Sequence, residues 1–261
     1  MVALACTDLS VAYGPRIALS HFSLSADRGE IRTMIGPNGS GKSTALQAMA
    51  GLIAPRAGHA EVDGRRVAGM NRRELATRLA FLPQQPFAPD EMTVEQLVRQ
   101  GRFCHVGLFR RHGARDHAAI AWALDATGLG DLASRPLREL SGGERQRAWI
   151  AAALAQEAGV LLLDEPTSFL DIGYQVEILD LVRRLARDRG VTVVMAIHDL
   201  NQALAVSDRI SLLQGGRLMF DGAPAALAAS GLIEKVFRVS GRFVTLDPDR
   251  PPHFDVDLRR A

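Results

Sequence analysis

The glycine-rich segment at residues 36–43, Gly-Pro-Asn-Gly-Ser-Gly-Lys-Ser, carries the most specific chemistry in the chain. Its spacing matches GxxxxGK[ST], in which glycines let successive backbone N–H groups curl around phosphate oxygens. Lys42 adds a positive charge for the β- and γ-phosphates, and the Ser43 hydroxyl can ligate Mg²⁺. The predicted phosphate-binding residues are Gly36, Pro37, Asn38, Gly39, Ser40, Gly41, Lys42, Ser43 and Thr44. The segment therefore predicts a bound nucleoside triphosphate with Mg²⁺, and by itself it does not distinguish kinases, GTPases, helicases and transporters.

A second candidate is the pair of carboxylates that ends an apolar run, Val-Leu-Leu-Leu-Asp-Glu-Pro at residues 160–166. A buried strand that ends beside the phosphate loop would hold Asp164 near Mg²⁺, directly or through water. Glu165 would extend past it toward the γ-phosphate, where an attacking water must be oriented. The alternative is that both carboxylates only cap the turn at Pro166. The phosphate loop upstream favours the first interpretation and predicts triphosphate hydrolysis.

A third segment, Leu-Ser-Gly-Gly-Glu at residues 140–144, places Ser-Gly-Gly where a helix is predicted to begin. The exposed N–H groups of a helix start form an anion site. The chain then has two phosphate-binding helix starts for one triphosphate. Two copies meeting head to tail would complete each site, with Ser141 of one copy facing Lys42 of the other.

The elements that must position these residues follow from hydrophobic periodicity and turn signals. Strands are predicted at residues 4–10, 17–24, 30–35, 60–67, 79–83, 160–164, 191–196, 210–214 and 217–221. Helices are predicted at residues 43–52, 71–79, 93–101, 117–127, 143–155, 173–187 and 201–207. The alternation favours a mainly parallel sheet with an antiparallel edge at the N-terminus. No convincing strand occurs from about residue 86 to 156, which predicts a helical insert.

Bulk composition narrows the class of protein. With 261 residues, 47% apolar residues and a net charge of +2, the chain is typical of a globular protein and gives no indication of nucleic-acid binding. Cys6 and Cys104 are too few for a disulfide framework, which favours a reducing, cytoplasmic compartment. The N-terminus lacks the pattern of a signal peptide, and no run reaches about 18 apolar residues, so any link to a membrane is expected through a partner.

The stretch Leu-Ser-Gly-Gly-Glu-Arg-Gln-Arg resembles the signature of ATP-binding cassette (ABC) proteins, and further cassette motifs occur in the family's order. The resemblance implies that Tyr13 stacks on adenine and that Gln84 is the glutamine that touches Mg²⁺ and couples to membrane subunits. Gln85 is the alternative to Gln84. His198 matches the histidine that contacts the γ-phosphate.

Two other features of the resemblance concern the loop after Glu165 and the signature itself. Asp171 belongs to a segment like the D-loop, although Phe169 stands where a small residue is usual. The signature residues, expected to act on the nucleotide of the opposite subunit, are Leu140, Ser141, Gly142, Gly143 and Glu144.

The resemblance implies an α/β fold: a P-loop NTPase (RecA-like) core with an N-terminal antiparallel β subdomain and an inserted α-helical subdomain. We expect the core and β subdomain at residues 1–85 and 157–230, the helical signature subdomain at 86–156 and a C-terminal tail at 231–261. Catalysis is assigned to Glu165, His198 and Gln84, and metal binding to Ser43, Gln84 and Asp164.

Partners and cargo are also implied by the resemblance. We expect a homodimer of cassettes on two permease subunits, at the cytoplasmic face of the inner (plasma) membrane, indirectly served by an extracytoplasmic binding protein. Segments such as Asp-Ile-Gly-Tyr-Gln at 171–175 and His-Asp-Leu-Asn-Gln-Ala at 198–203 look like the importer class for ferric siderophores, haem and cobalamin, with siderophore members nearest.

Other interpretations remain open. An exporter cassette would contain the same ATP-hydrolysing motifs. A soluble cassette ATPase would require a basic patch, a coiled-coil insertion or a tandem cassette, and the sequence indicates none of these. A regulatory protein with inactive sites is disfavoured by Lys42, Glu165 and His198. Cys104, His105 and His112 suggest metal binding or packing, and their irregular spacing favours packing.

Overall fold

The computed structural model describes residues 1–106, 111–168, 170–245 and 251–257, which form an α/β structure. The strands are β1 (Val2–Tyr13), β2 (Arg16–Asp27), β3 (Ile31–Ile35), β4 (Ala57–Val62), β5 (Arg65–Arg66), β6 (Leu79–Leu82), β7 (Val160–Asp164), β8 (Thr192–Ala196), β9 (Arg209–Gln214), β10 (Arg217–Gly222), β11 (Gly241–Val244) and β12 (His253–Val256). The helices are α1 (Lys42–Met49), α2 (Arg72–Ala76), α3 (Val94–Gln100), α4 (Phe103–Val106), α5 (Ala114–Ala126), α6 (Gly142–Ala155), α7 (Ile172–Arg189), α8 (Leu200–Val206), α9 (Pro224–Ala228) and α10 (Leu232–Phe237).

The main sheet has the strand order β10-β9-β3-β8-β7-β6. Strands β9, β3, β8, β7 and β6 run parallel to one another, and every residue of β3, β7 and β8 is buried. Continuous burial requires cover on both faces, which is why these strands are apolar runs rather than alternating ones. The parallel arrangement brings the carboxyl ends of β3, β7 and β8 to one edge of the sheet, where the predicted site residues follow.

The N-terminal strands form a sheet of their own, with order β2-β1-β4-β5 and antiparallel pairing throughout. The predicted antiparallel subdomain is therefore present. The expectation that these strands provide the antiparallel edge of the main sheet is wrong, because that edge is β10, which pairs with β9. In the C-terminal half of β2, buried and exposed residues alternate, as expected of a strand with one covered face.

Helices α3, α4, α5 and α6 lie between β6 and β7 in the chain. Val98 of α3, Ile120 of α5 and Ala151 of α6 belong to one buried cluster, which continues into the core beneath α7. Helix α5 begins three residues before the predicted start at 117, because the Asp116 carboxylate accepts the Gly113 N–H at 2.9 Å and caps the helix.

The chain after residue 221 contains elements that periodicity does not predict. Helix α10 and the antiparallel pair β11–β12 pack beside β9 of the main sheet. Phe254 belongs to the same buried cluster as residues of α8 and α9. Asn201 of α8 fixes the pair, since its Oδ1 accepts the Phe254 N–H at 2.8 Å. Strands β11 and β12 have only four residues each and are not adjacent in sequence, so their hydrophobic alternation is too short to be recognised. Over the described ranges, none of the helices combines the length and apolarity needed to cross a membrane.

Arg102 joins three segments of the helical region. Its side chain is 1% exposed and donates to Asp116 Oδ1 at 2.9 Å, to Glu157 Oε2 at 2.8 Å and to the Ala155 carbonyl at 2.7 Å. We expect Arg102→Ala to lower the free energy of unfolding by about 3 kcal/mol, because it removes a buried guanidinium and leaves the buried Ala155 carbonyl and the partly buried Asp116 carboxylate without their donor. Chemical denaturation followed by circular dichroism measures the change.

Arg115→Ala is the matched control for Arg102→Ala. Arg115 contacts the same Glu157 oxygen at 3.4 Å, but its side chain is 80% exposed. The exposed ion pair should contribute less than about 1 kcal/mol. Equal losses in the two variants would contradict the structural role assigned to Arg102.

Candidate functional site

The loop between β3 and α1 is shaped by three glycines with positive φ. Gly36, Gly39 and Gly41 have φ of 148°, 74° and 107°. A Cβ at Gly36 would lie 2.2 Å from the Leu213 carbonyl oxygen, and one at Gly41 would lie 2.8 Å from that of Ala18. Only glycine fits these positions, so the backbone is free to turn its N–H groups toward the start of α1.

Lys42 ties this loop together from within. Its Nζ donates to the carbonyls of Gly36 at 2.8 Å and Pro37 at 3.3 Å. Burial lowers the pKa of the Lys42 ammonium, against the opposing attraction of the Glu165 and Asp164 carboxylates. A buried cation in a curl of backbone donors is suited to bind an anion.

Ser40 offers an independent test of whether this loop fits a phosphate group. Its Oγ is buried and, within the described residues, has no hydrogen-bond partner. A buried hydroxyl without a partner is uncommon in native proteins. A phosphate oxygen held in the loop would accept this proton, so the residues present fit the predicted ligand.

Asp164, the last residue of β7, lies beside the start of α1. Its Oδ1 accepts a hydrogen bond from Ser43 Oγ at 2.9 Å, and the side chain is buried. Burial raises the pKa of the Asp164 carboxyl; the Ser43 hydrogen bond opposes this shift, and the nearby Glu165 charge adds to it. A hydroxyl and a carboxylate side by side are the oxygen donors that Mg²⁺ prefers, so these two residues fit the metal predicted for them.

Three other side chains contact the carboxylate of Glu165. Gln84 Nε2 donates to its carboxylate, His198 Nε2 contacts the other oxygen, and Ser168 Oγ donates at 3.0 Å. The residue has a φ of 54° and is 8% exposed. Gln84 and its alternative Gln85 are both exposed, and the contact with Glu165 is made by Gln84. The structure thus brings Gln84, Glu165 and His198 together at the carboxyl ends of β6, β7 and β8.

A cavity of about 340 Å³ lies over this edge of the sheet. Its lining residues are Tyr13, Arg16, Ala18, Asn38, Gly39, Ser40, Gly41, Lys42, Ser43, Thr44, Glu165 and His198. Tyr13 is half exposed at the mouth of the cavity, which suits an aromatic ring that stacks on a base. Sequence reasoning missed Arg16. The turn at Gly14 could have revealed it, because a tight hairpin sets Arg16 opposite Tyr13, as observed in the β1–β2 register.

The signature residues lie apart from this cavity, at the start of α6. Ser141 Oγ accepts the Glu144 N–H at 3.2 Å, and Glu144 Oε2 accepts the Ser141 N–H at 2.8 Å. Hydrogen bonds to the Glu144 carboxylate from the Ser141 backbone N–H and from the Ser141 hydroxyl lower the pKa of that carboxyl. Leu140 and Gly143 are buried, Gly142 is exposed, and residues 140–144 do not line the cavity. Within one chain, the structure does not bring the signature to the phosphate loop.

Asp171 and the candidate metal-binding residues have structural contacts. Asp171 caps α7 by accepting the Tyr174 N–H at 3.0 Å, while Phe169 lies outside the described residues. Cys104 Sγ lies 3.7 Å from the Gly101 carbonyl, and His105 Nε2 lies 2.8 Å from that of Gln156. The His112 ring packs near that of His117, at 6.2 Å between centroids.

Asp164→Asn keeps an oxygen acceptor for Ser43 and removes the buried charge. A carboxyl whose pKa is raised by folding opposes folding when ionised. Without nucleotide or metal, we therefore expect the variant to be more stable to urea than the wild type at neutral pH. The difference should shrink as the pH falls through the raised pKa of Asp164, because the wild type then becomes neutral there too.

The control for this comparison is Asp188→Asn, on the exposed surface of α7. It should leave the pH dependence of unfolding unchanged. A wild type more stable than Asp164→Asn at neutral pH, by a margin that disappears as the pH falls, would show that the attraction to Lys42 outweighs burial.

Comparisons with known proteins place this site in a family. Residues 19–168 match the family model described as ABC transporter. The chain is 41% identical over 260 residues to the iron(3+)-hydroxamate import ATP-binding protein FhuC of Bacillus subtilis (strain 168), covering 99% of this chain and 96% of that protein. It is also similar to a chain from a structure described as an inward-facing metal-chelate type ABC transporter, with a TM-score of 0.86, 29% identity and 99% of each chain covered. A dimeric bacterial ABC transporter cassette aligns with a TM-score of 0.75 and 28% identity, over 84% of this chain and 98% of that one. With a phosphate loop, a buried carboxylate pair and a separate signature helix in one α/β fold, the chain belongs to the ABC transporter family, whose cassettes are ATPases.

Proposed function

We propose that this chain is the ATP-hydrolysing subunit of an importer for an iron–siderophore complex or a related iron chelate. The observation that carries the proposal is the Glu165 carboxylate, which Gln84, Ser168 and His198 hold beside the phosphate loop. A carboxylate fixed in this way, next to a site for the γ-phosphate, is suited to orient and deprotonate a water molecule. A protein that only bound nucleotide would have no use for it.

The other site residues divide the remaining tasks. The loop backbone, Lys42 and Ser40 bind the phosphates, and Tyr13 stacks on the base. Ser43, Asp164 and Gln84 would hold Mg²⁺, which neutralises phosphate charge when bound. His198 contacts the γ-phosphate, and its contact with Glu165 links that phosphate to the attacking water. Hydrolysis then consumes water and ATP and yields ADP, phosphate and a proton, which Glu165 first accepts.

The functional unit in this proposal is a homodimer. The signature lies outside the cavity of its own chain. Its helix start presents backbone N–H groups that are suited to an anion. In a head-to-tail pair, Ser141 and Gly143 of one protomer would meet the nucleotide of its partner. The similarity to a dimeric cassette supports this arrangement. ATP would close the dimer and hydrolysis would release it, which shifts the population of the two states.

The transport role rests on the relatives. FhuC is named for iron(3+)-hydroxamate import, and the structural neighbour is described as metal-chelate type. We infer two permease subunits that receive the movement through the helical region near Gln84. The chain would then work as a peripheral subunit at the cytoplasmic face of the plasma membrane, with an extracytoplasmic binding protein supplying cargo and no nucleic acid involved.

The first test is Glu165→Gln in the purified full chain. The amide keeps the size of the side chain but removes the base, so kcat should fall about a hundredfold to ten-thousandfold. Nucleotide affinity should be retained, and size-exclusion chromatography with ATP should show a trapped dimer. Glu91→Gln, in which the exposed partner of Arg138 is changed, should behave as wild type. Unchanged turnover in Glu165→Gln would refute the assignment.

The second test concerns cargo. The chain is co-expressed with its permease and binding protein, and uptake and ATP hydrolysis are followed with ferric hydroxamates, ferric catecholates, haem and cobalamin. We expect one ferric chelate to be taken up and to stimulate hydrolysis, and both effects to disappear in Glu165→Gln. Stimulation by haem or cobalamin alone would keep the importer and replace the cargo. ATPase activity without any response would contradict the proposed cargo class.

A further inference from the structure

Tyr174 connects two helices that lead to different parts of the proposed machinery. Helix α6 begins at the signature. Helix α7 follows Glu165 in the chain and is capped by Asp171. The Tyr174 ring lies directly against Gly143. A Cβ at Gly143 would lie 2.5 Å from Cγ, 2.6 Å from Cδ2 and 2.8 Å from Cδ1 of that ring. Such distances exclude any side chain at Gly143 while the ring stays in place.

The contact extends over a second pair of residues. The Arg147 guanidinium lies over the Tyr174 ring, 5.4 Å from its centroid, and its Nη1 donates to Glu177 Oε2 at 2.9 Å. Gly143 and Arg147 are four residues apart on α6, so the ring of α7 inserts between neighbours on one helical face. A cation above the ring adds electrostatic attraction to the packing. The two helix starts therefore move as one unit unless this ring is displaced.

The first turn of α7 is in turn bonded to the Glu165 loop. Gln175 Nε2 donates to the Thr167 carbonyl at 3.3 Å, and Ser168 Oγ donates to Glu165 at 3.0 Å. Gln202, on the helix that follows His198, donates to Gln175 Oε1 at 2.7 Å and lies 3.1 Å from Thr167 Oγ1. A shift of the Glu165 loop is thereby transmitted to α7, and through the Tyr174 ring to the signature.

We propose that Tyr174 is a positioning residue that couples the two nucleotide sites of the dimer. It links the Glu165 loop of its own protomer to a signature that acts on the partner's nucleotide, and in this it rests on the proposed function. Displacement of Glu165 at one site then changes the position of Ser141 at the other site. The ring also explains why Gly143 has to be glycine, independently of phosphate binding.

The experiment measures ATP hydrolysis against ATP concentration for the full chain assembled with its co-expressed permease subunits. Tyr174→Phe keeps the ring carbons that touch Gly143 and should retain kcat within about twofold. Tyr174→Ala should lower kcat by about tenfold to a hundredfold, since small misplacement of a catalytic group is costly. Its Hill coefficient should fall toward one, while nucleotide binding to the isolated chain stays unchanged.

Gly143→Ala and the double variant Gly143→Ala/Tyr174→Ala complete a double-mutant cycle. Gly143→Ala should lose more activity than Tyr174→Ala, because the methyl group pushes the signature away from α7. Removing the ring relieves that clash, so the double variant should recover at least about fivefold in kcat over Gly143→Ala. Circular dichroism and thermal unfolding check that each variant is folded; Tyr174→Leu, with the same expectations, replaces Tyr174→Ala if that variant unfolds.

The outcomes separate this inference from the proposed function. Wild-type kcat and Hill coefficient in the folded Tyr174→Ala or Tyr174→Leu variant would overturn the coupling role. A double variant no better than Gly143→Ala would show that the glycine serves phosphate binding alone and would equally overturn it. A wild type whose ATPase activity is insensitive to Glu165→Gln would instead refute the proposed function, whatever Tyr174 does.

Discussion

The rest of the site depends on the buried ammonium of Lys42. It lies among backbone carbonyls at the start of α1, with the buried carboxylates of Asp164 and Glu165 nearby. A triphosphate alone would be repelled by these carboxylates, and a metal ion alone would face Lys42. The two together would satisfy both charges, because phosphate oxygens would meet the ammonium and the metal would meet Asp164. The sheet serves this arrangement, since the parallel strands β3 and β7 deliver the loop and the carboxylates to one edge.

Sequence reasoning works well where the chemistry is local. The loop at 36–43 has a fixed spacing because the backbone must close around a phosphate, and that spacing is visible without any tertiary information. Asp164 and Glu165 end an apolar run, and strands buried on both faces are apolar runs. Their approach to the loop then follows from parallel pairing. Gln84 was assigned from the family resemblance, and the structure brings it to Glu165 because it follows β6, the neighbour of β7 in that sheet.

The errors concern non-local pairing. The alternation in β2 shows that one face is covered, but it carries no information on which sheet the strand joins, so the antiparallel edge was assigned to the wrong strands. Strands β11 and β12 are too short to produce a recognisable period, and their stability comes from Phe254 and from Asn201, which is distant in sequence. Arg16 was overlooked because a single arginine has no pattern, although the hairpin register places it opposite Tyr13. Residue type indicates which chemistry is possible, whereas the pairing of strands in the folded chain decides which residues line the site.

The two glycines of the signature illustrate how one motif contains two different constraints. Among the residues that the structure describes, no atom outside its own neighbourhood lies within 4 Å of a Cβ at Gly142, which is exposed. Steric exclusion by these residues therefore does not explain that glycine. Its open N–H is available to a phosphate in the proposed dimer. Gly143 is buried, and the Tyr174 ring occupies the space of its missing side chain. Sequence reasoning treats Ser-Gly-Gly as one anion-binding helix start, whereas the structure adds a packing constraint at the second glycine, because the Tyr174 ring excludes a side chain there. The missing side chain of Gly143 lets α6 pack directly on α7, and in the proposed dimer the backbone of the same residue would face the partner's nucleotide.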